Sequence, residues 1–143
     1  MSLSVMAEED ISKEVTINLV CVPQTTTICT DDCNTYTEEQ MIRRGNERGN
    51  RNLSIRKTRV YTDTYYSVDK GAGFERASFK NNFLTQVIDG DQDEDERIAG
   101  KNVIHRINLL NKEYSFSVWE KGNTDNPLVD SKYICEERKS LFD

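Results

Sequence analysis

The sequence predicts an all-β domain, an antiparallel β-sandwich or barrel with one short helix near residues 38–44. Short stretches rich in Val, Ile, Thr, Tyr and Phe recur along the chain, and polar turns rather than long helices separate them. In the clearest stretch, Tyr114, Phe116 and Val118 alternate with Ser115 and Ser117. Hydrophobic residues make up only 36% of the 143 residues, which predicts a thin core of two layers. We expect a polar tail over residues 1–13 and one β-rich domain over residues 14–143.

The first half of the domain contains a strand and the helix. Residues 14–22 alternate and then become continuously apolar, which predicts a strand that Pro23 ends. Residues 24–36 are rich in Thr, Asp and Asn and are predicted to form a loop. Thr37 and Gln40 match a capping box, so a helix is expected to follow and to end at Gly45.

The second half is predicted to add further strands. Residues 53–68 are predicted to form a long strand or a hairpin, with a bulge or bend near residues 57–59 because the apolar positions change parity. Residues 77–88 favour a strand, although an apolar residue at every fourth position also suits a helix. Strands are expected over residues 103–110 and 114–119, and residues 128–135 are expected to close the sheet.

Four cysteines leave their pairing open. Cys29 and Cys33 are close enough in sequence to close a small loop, and Cys21 and Cys135 lie in predicted strands near opposite ends of the chain. These pairs are disulfide candidates; four reduced, buried thiols are the alternative.

Two oppositely charged segments are the candidate partner-binding sites. A basic loop over residues 43–59 carries seven cations against one acid, and an acidic loop over residues 89–97 carries six acids against one cation. Such segregation steers binding partners. The partner predicted is a protein, a second copy of this chain included. The candidate residues are Arg43, Arg44, Arg48, Arg51, Asp91, Asp93 and Asp95.

Nucleic acid is the less favoured partner, because the chain has a net charge of -6 and its basic segment lacks aromatic residues for base stacking.

The acidic loop is also a weak calcium candidate. Asp89, Asp91, Asp93 and Asp95 alternate, and calcium takes carboxylate oxygens. The spacing departs from the EF-hand loop, since Glu94 stands where the loop needs glycine and Gly100 where it needs glutamate. A solvated acidic loop is therefore the favoured interpretation, and no metal or cofactor is predicted.

The chain offers little material for catalysis. His105 is its one histidine, and it shares a strand face with Val103 and Ile107, which favours a core or interface role. We therefore expect a non-catalytic protein-interaction or structural subunit of a larger assembly. The alternative is a secreted or surface recognition domain with disulfides and weak calcium binding. No apolar run is long enough to span a membrane, and no secretory signal is evident, so an intracellular or assembly-associated protein is favoured.

Overall fold

A computed structural model describes residues 12–92 and 96–138 of the chain. These residues contain nine strands, one α-helix, which we call α1 (Glu38–Arg43), and a 3₁₀ turn (Glu96–Ile98). The strands are β1 (Ser12–Cys29), β2 (Cys33–Thr37), β3 (Arg51–Val60), β4 (Asp63–Asp69), β5 (Phe74–Lys80), β6 (Phe83–Asp89), β7 (Lys101–Asn108), β8 (Glu113–Glu120) and β9 (Val129–Arg138).

The all-β prediction is confirmed, and the architecture is a closed antiparallel barrel of eight strands with β2 as an extra strand. β1 closes the barrel because its 18 residues reach two neighbours. Its first part pairs with β3 from Ser12↔Val60 to Cys21↔Arg51, and its later part pairs with β9 from Asn18↔Arg138 to Ile28↔Val129. The short strand β2 pairs with residues 25–29 of β1.

Alternate residues of each strand point into the barrel and form its core. In β8, Tyr114 and Phe116 are buried, and Val118 packs against the core, as the alternation predicts. The other members of the core cluster are Leu19, Cys21, Leu53, Ile55, Val68, Ala77, Leu84, Ile107, Tyr133 and Cys135.

Pro23 does not end the first strand, contrary to prediction. The pairing of β1 with β9 shifts between Pro23 and Thr25, so Gln24 forms a bulge and the strand continues to Cys29. A bulge accommodates a residue that cannot donate a backbone hydrogen bond. The predicted loop over residues 24–36 is therefore mainly the β1–β2 hairpin, whose β-branched threonines suit strands.

The predicted helix forms where the capping box places it. The Thr37 side chain accepts a hydrogen bond from the Gln40 backbone N–H at 3.2 Å, and the Gln40 side chain accepts one from the Thr37 N–H at 2.9 Å. Gly45 follows with a φ of 77°, a left-handed conformation that favours glycine. Met41 is fully buried and holds the helix against the barrel.

Two tight turns account for the irregular apolar spacing in the middle of the chain. Residues 53–68 form the β3–β4 hairpin, whose register is continuous, so the bulge predicted near residues 57–59 is wrong. Residues 77–88 belong to the β5–β6 hairpin rather than to one strand or a helix. Its turn is Asn81–Asn82, with φ of 52° and 67°, which are the backbone angles of a type I′ turn.

The cysteines form the two candidate pairs, Cys21 with Cys135 and Cys29 with Cys33. Cys21 and Cys135 lie opposite each other in β1 and β9, with their Sγ atoms at disulfide distance, and Cys29 and Cys33 face each other across the β1–β2 hairpin. The first pair therefore joins the two strands that close the barrel.

The predicted tail and loops have different limits in the structure. Ser12 and Lys13 already belong to β1, and residues 1–11 lie outside the described residues. Only residues 44–50 of the basic segment are a loop, because β3 begins at Arg51. The acidic segment is a loop after Asp89, and its residues 93–95 lie outside the described residues.

Candidate functional site

Three basic side chains and one histidine gather at one end of the barrel, the end at which β3, β5, β7 and β9 begin. Arg51 and His105 point inward because they alternate with the buried residues Leu53 and Ile107. Lys70 directly follows β4, and Arg48 comes from the loop before β3. We call Arg48, Arg51, Lys70 and His105 the cationic end cluster.

Phe116 is the apolar centre of this cluster. The Arg51 Cζ lies 4.9 Å from the centroid of the Phe116 ring, and the Arg48 Cζ lies 5.7 Å from the same centroid. The His105 ring centroid lies 6.1 Å away. Two guanidinium groups therefore flank one aromatic ring, an arrangement that stabilises each cation.

The helix places Arg48 at the barrel end. Glu38 is the first residue of α1, and its Oε1 accepts a hydrogen bond of 2.7 Å from the Arg48 backbone N–H. The loop between α1 and β3 is thereby fixed, and it carries the Arg48 side chain to the Phe116 ring.

His105 is held in its neutral form. Burial, together with the positive charges of Lys70 and Arg51, lowers the pKa of His105 to about 3. Its Nδ1 lies 2.7 Å from the Tyr114 hydroxyl. Burial raises the pKa of Tyr114, so this hydroxyl keeps its proton. The positive charge of Arg51 opposes this rise in the Tyr114 pKa, so the guanidinium lies near the Tyr114–His105 pair.

Lys70 is bound to a buried glutamine. Its Nζ donates to Gln86 Oε1, and Gln86 Nε2 donates to the carbonyl oxygens of Glu75 and Arg76 at 2.7 and 3.3 Å. Burial lowers the pKa of Lys70, and the nearby carboxylates of Glu75 and Asp69 oppose that effect.

Two buried polar atoms, one in the cluster and one beside it, have no hydrogen-bond partner among the described residues. They are the Nε of Arg48 and the hydroxyl of Tyr133. Tyr133 is only 1% exposed, and its ring lies 5.2 Å from that of Tyr114 and 6.4 Å from that of Phe116. Within residues 12–92 and 96–138, no salt bridge joins Arg48, Arg51 or Lys70 to a carboxylate. The cations of this partly buried end are therefore not held in a salt bridge within the described chain, although the carboxylates of Glu75 and Asp69 lie near Lys70.

The basic residues predicted to bind a partner divide into two groups. Arg43 forms a salt bridge with Glu39 on the surface of α1, and the Arg44 guanidinium lies 4.5 Å from the Tyr36 ring centroid. Arg48 and Arg51 instead turn toward the barrel interior. The structure therefore does not bring these four residues together as one outer surface.

The acidic candidates have a partner of their own. Lys121 Nζ contacts Asp89 Oδ1 and Asp91 Oδ2 at 2.5 Å each, and the Gly100 N–H donates to Asp91. Lys121 lowers the pKa of both carboxyls. Asp93 and Asp95 lie outside the described residues. In the described part of the chain, no three His, Cys, Asp or Glu side chains form a group that could hold a metal ion.

Sequence reasoning missed Lys70, Gln86, Tyr114 and Tyr133 as site residues. Gln86 did carry a signal, because it occupies the inward position between Leu84 and Ile88 where an apolar residue is expected. Arg51 carried the same signal, since it shares the parity of Leu53 and Ile55. Nothing local to the sequence indicated that these positions meet, because four different strands and a loop supply them.

Comparisons with known proteins add no identification. The chain matches no protein-family model, no curated protein sequence and no solved structure. No helix among the described residues is both long and apolar enough to cross a membrane.

Proposed function

We propose that this chain is a non-catalytic binding protein that takes a small anionic ligand, a carboxylate or a phosphate, at the cationic end cluster. The observation that carries the proposal is the set of three basic side chains, Arg48, Arg51 and Lys70, none of which forms a salt bridge within the described chain. Guanidinium groups bind carboxylate and phosphate oxygens with short, charge-assisted hydrogen bonds.

The energetics favour an anion at this end. A partly desolvated cation without a partner is costly, and so is a buried hydroxyl such as that of Tyr133. An anion between the guanidinium groups would accept hydrogen bonds from them and offset the repulsion among the three cations. The interior of an eight-stranded barrel is wide enough for side chains or for one small ligand.

The chemistry of the cluster supports binding rather than turnover. A general base works best with a pKa near the operating pH, and the pKa of His105 is lowered to about 3. The Tyr114 hydroxyl is held in its protonated form, so it is a hydrogen-bond donor and a poor nucleophile. These groups can orient a ligand without exchanging protons with it near neutral pH.

The cysteine pairs favour the recognition-domain form of this proposal. Disulfides persist in oxidising compartments, and the described cysteines are all paired. We propose that the ligand is encountered there, by a secreted or surface domain.

Calorimetric titration with inorganic phosphate and with benzoate tests the proposal. We expect at least one of the two to bind with an affinity that falls as salt rises, and Arg51→Met to weaken it at least tenfold. Arg43→Met is the matched control, because Arg43 lies outside the cluster and pairs with Glu39. Failure of both anions to bind the folded protein, or an equal loss in the two variants, would overturn the proposal.

A further inference from the structure

The barrel wall opens between β4 and β5. Their pairing runs from Asp69↔Phe74 to Tyr66↔Ala77 and ends there, although continuing the register would bring Tyr65 opposite Ser78. Over the unpaired stretch, β4 remains paired with β3 and β5 with β6. Among the described residues, each strand therefore keeps one edge without a neighbour over residues 63–65 and 78–80. We call this opening the β4–β5 gap.

A cavity of about 520 Å³ occupies the gap. Its volume falls within the roughly 300–1,000 Å³ of ligand-binding clefts. Both strands line it, together with a basic side chain from the neighbouring strand β3. Its lining includes Lys57, Tyr65, Tyr66, Arg76 and Phe79.

The free strand edges match one kind of ligand. An unpaired strand edge presents backbone N–H and C=O groups, and an extended peptide binds such an edge by adding to the sheet as another strand. Pockets for alternate side chains then set the specificity.

The side chains around the gap define the partner's chemistry. On the inner face, Tyr66 and Phe79 stack with centroids 4.7 Å apart, and Lys57 Nζ lies 5.9 Å from the Tyr66 ring centroid. On the outer face, the Arg76 Cζ lies 4.2 Å from the centroid of the Tyr65 ring. A bound strand would therefore meet aromatic surface with a cation on either face.

The charge around the gap also contrasts with the rest of the chain. Residues 57–66 and 76–80 together contain four basic residues and one acidic residue, a balance of +3 within a chain of net charge -6. An acidic partner would be attracted to this part of the barrel.

We propose that the β4–β5 gap binds an extended, acidic and partly apolar peptide segment of a partner protein, which adds its backbone to a free strand edge. A peptide fits better than a single-stranded nucleic acid, because the ring faces that would stack on bases are partly covered. Tyr66 and Phe79 cover each other, and Arg76 covers one face of Tyr65. This site is separate from the cationic end cluster and does not depend on it.

The test uses the full chain, labelled for NMR, and the synthetic peptide Ac-Val-Glu-Val-Glu-Val-Glu-NH2. We expect saturable binding, with the largest amide shifts over residues 63–66 and 77–80. Two control peptides separate the contribution of backbone pairing from that of charge. One is N-methylated at alternate residues, which removes backbone donors, and in the other Lys replaces Glu. Both are expected to bind at least tenfold more weakly.

Matched variants locate the site on the protein. Lys57→Glu is expected to weaken binding at least fivefold. Lys132→Glu, an equal charge change on the exposed face of β9, and Arg51→Met should leave it unchanged. A folded protein that does not bind the peptide, or that binds the N-methylated peptide equally well, would overturn the proposal. So would preferential binding of oligothymidine at the same amides, or a dimer through this edge, since the occupant would then be a nucleic acid or a second copy.

Discussion

The Cys21–Cys135 pair should contribute more to stability than the Cys29–Cys33 pair, because it closes a much longer segment of chain. The first pair spans a sequence separation of 114 residues and the second spans 4. A cross-link stabilises a protein mainly by removing conformations from the unfolded chain, and that effect grows with the length of the closed loop.

The chain-entropy relation gives the expected magnitudes. Closing the long loop lowers the unfolded-state entropy by the equivalent of about 5 kcal/mol, and closing the short loop by about 2 kcal/mol. We therefore expect Cys21→Ala with Cys135→Ala to lose about 3 kcal/mol more unfolding free energy than Cys29→Ala with Cys33→Ala. Cys21 and Cys135 are both buried at the closing strands, so the small cavity that their truncation leaves adds to the difference.

Equilibrium unfolding in guanidinium chloride measures both variants against the wild type. A thiol titration of the unfolded, unreduced protein should find no free thiol among the four cysteines. Reduction of the wild type should reproduce the loss seen when both pairs are removed. Four titratable thiols, or an equal loss from the long and the short pair, would refute the reasoning.

Two further predictions concern the barrel interior. Phe116→Ala should lower the unfolding free energy by about 3–5 kcal/mol. Ser115→Ala, on the other face of the strand, should change it by no more than about 0.5 kcal/mol. Similar losses for the two variants in denaturant titrations would contradict the placement of Phe116 inside the barrel. His105 has a pKa of about 3 in the folded chain against 6.5 in its ordinary state. As the pH is lowered, His105 is therefore protonated in the unfolded chain before it is protonated in the folded chain. The unfolding free energy should fall between about pH 6.5 and pH 3, by up to about 1.4 kcal/mol per pH unit. His105→Gln should remove that part of the slope, and an unchanged pH profile of the unfolding free energy would count against a neutral buried histidine.

The elements that depend on local chemistry could be predicted from the sequence. The capping box at Thr37 and Gln40 requires only side chains three residues apart, and both of its hydrogen bonds form. The alternation of Tyr114 and Phe116 with serines likewise identifies the buried face of β8 without knowledge of its neighbours.

Features that depend on distant pairing could not be predicted. The bulge at Gln24 forms because β1 must continue past Pro23 to pair with β9, and a local reading of proline indicates only an end. The Asn81–Asn82 turn was hidden because Phe79 and Phe83 lie on two strands at a spacing that one helix would also give. Closure of the sheet into a barrel requires β1 to pair with both β3 and β9, which no single segment reveals.

The cationic end cluster is also assembled from distant parts of the chain. The variant Arg51→Met tests whether the cluster binds a ligand or stabilises the fold. Arg51 would strengthen the barrel if a carboxylate held it, but the described chain provides none, and Lys70 repels it. A structural role therefore predicts that Arg51→Met destabilises the free protein. A ligand-binding role predicts that the same change leaves the free protein at least as stable and removes only the stabilisation that an added anion provides. The second outcome is expected, because a cation without a counter-ion costs stability until its ligand arrives.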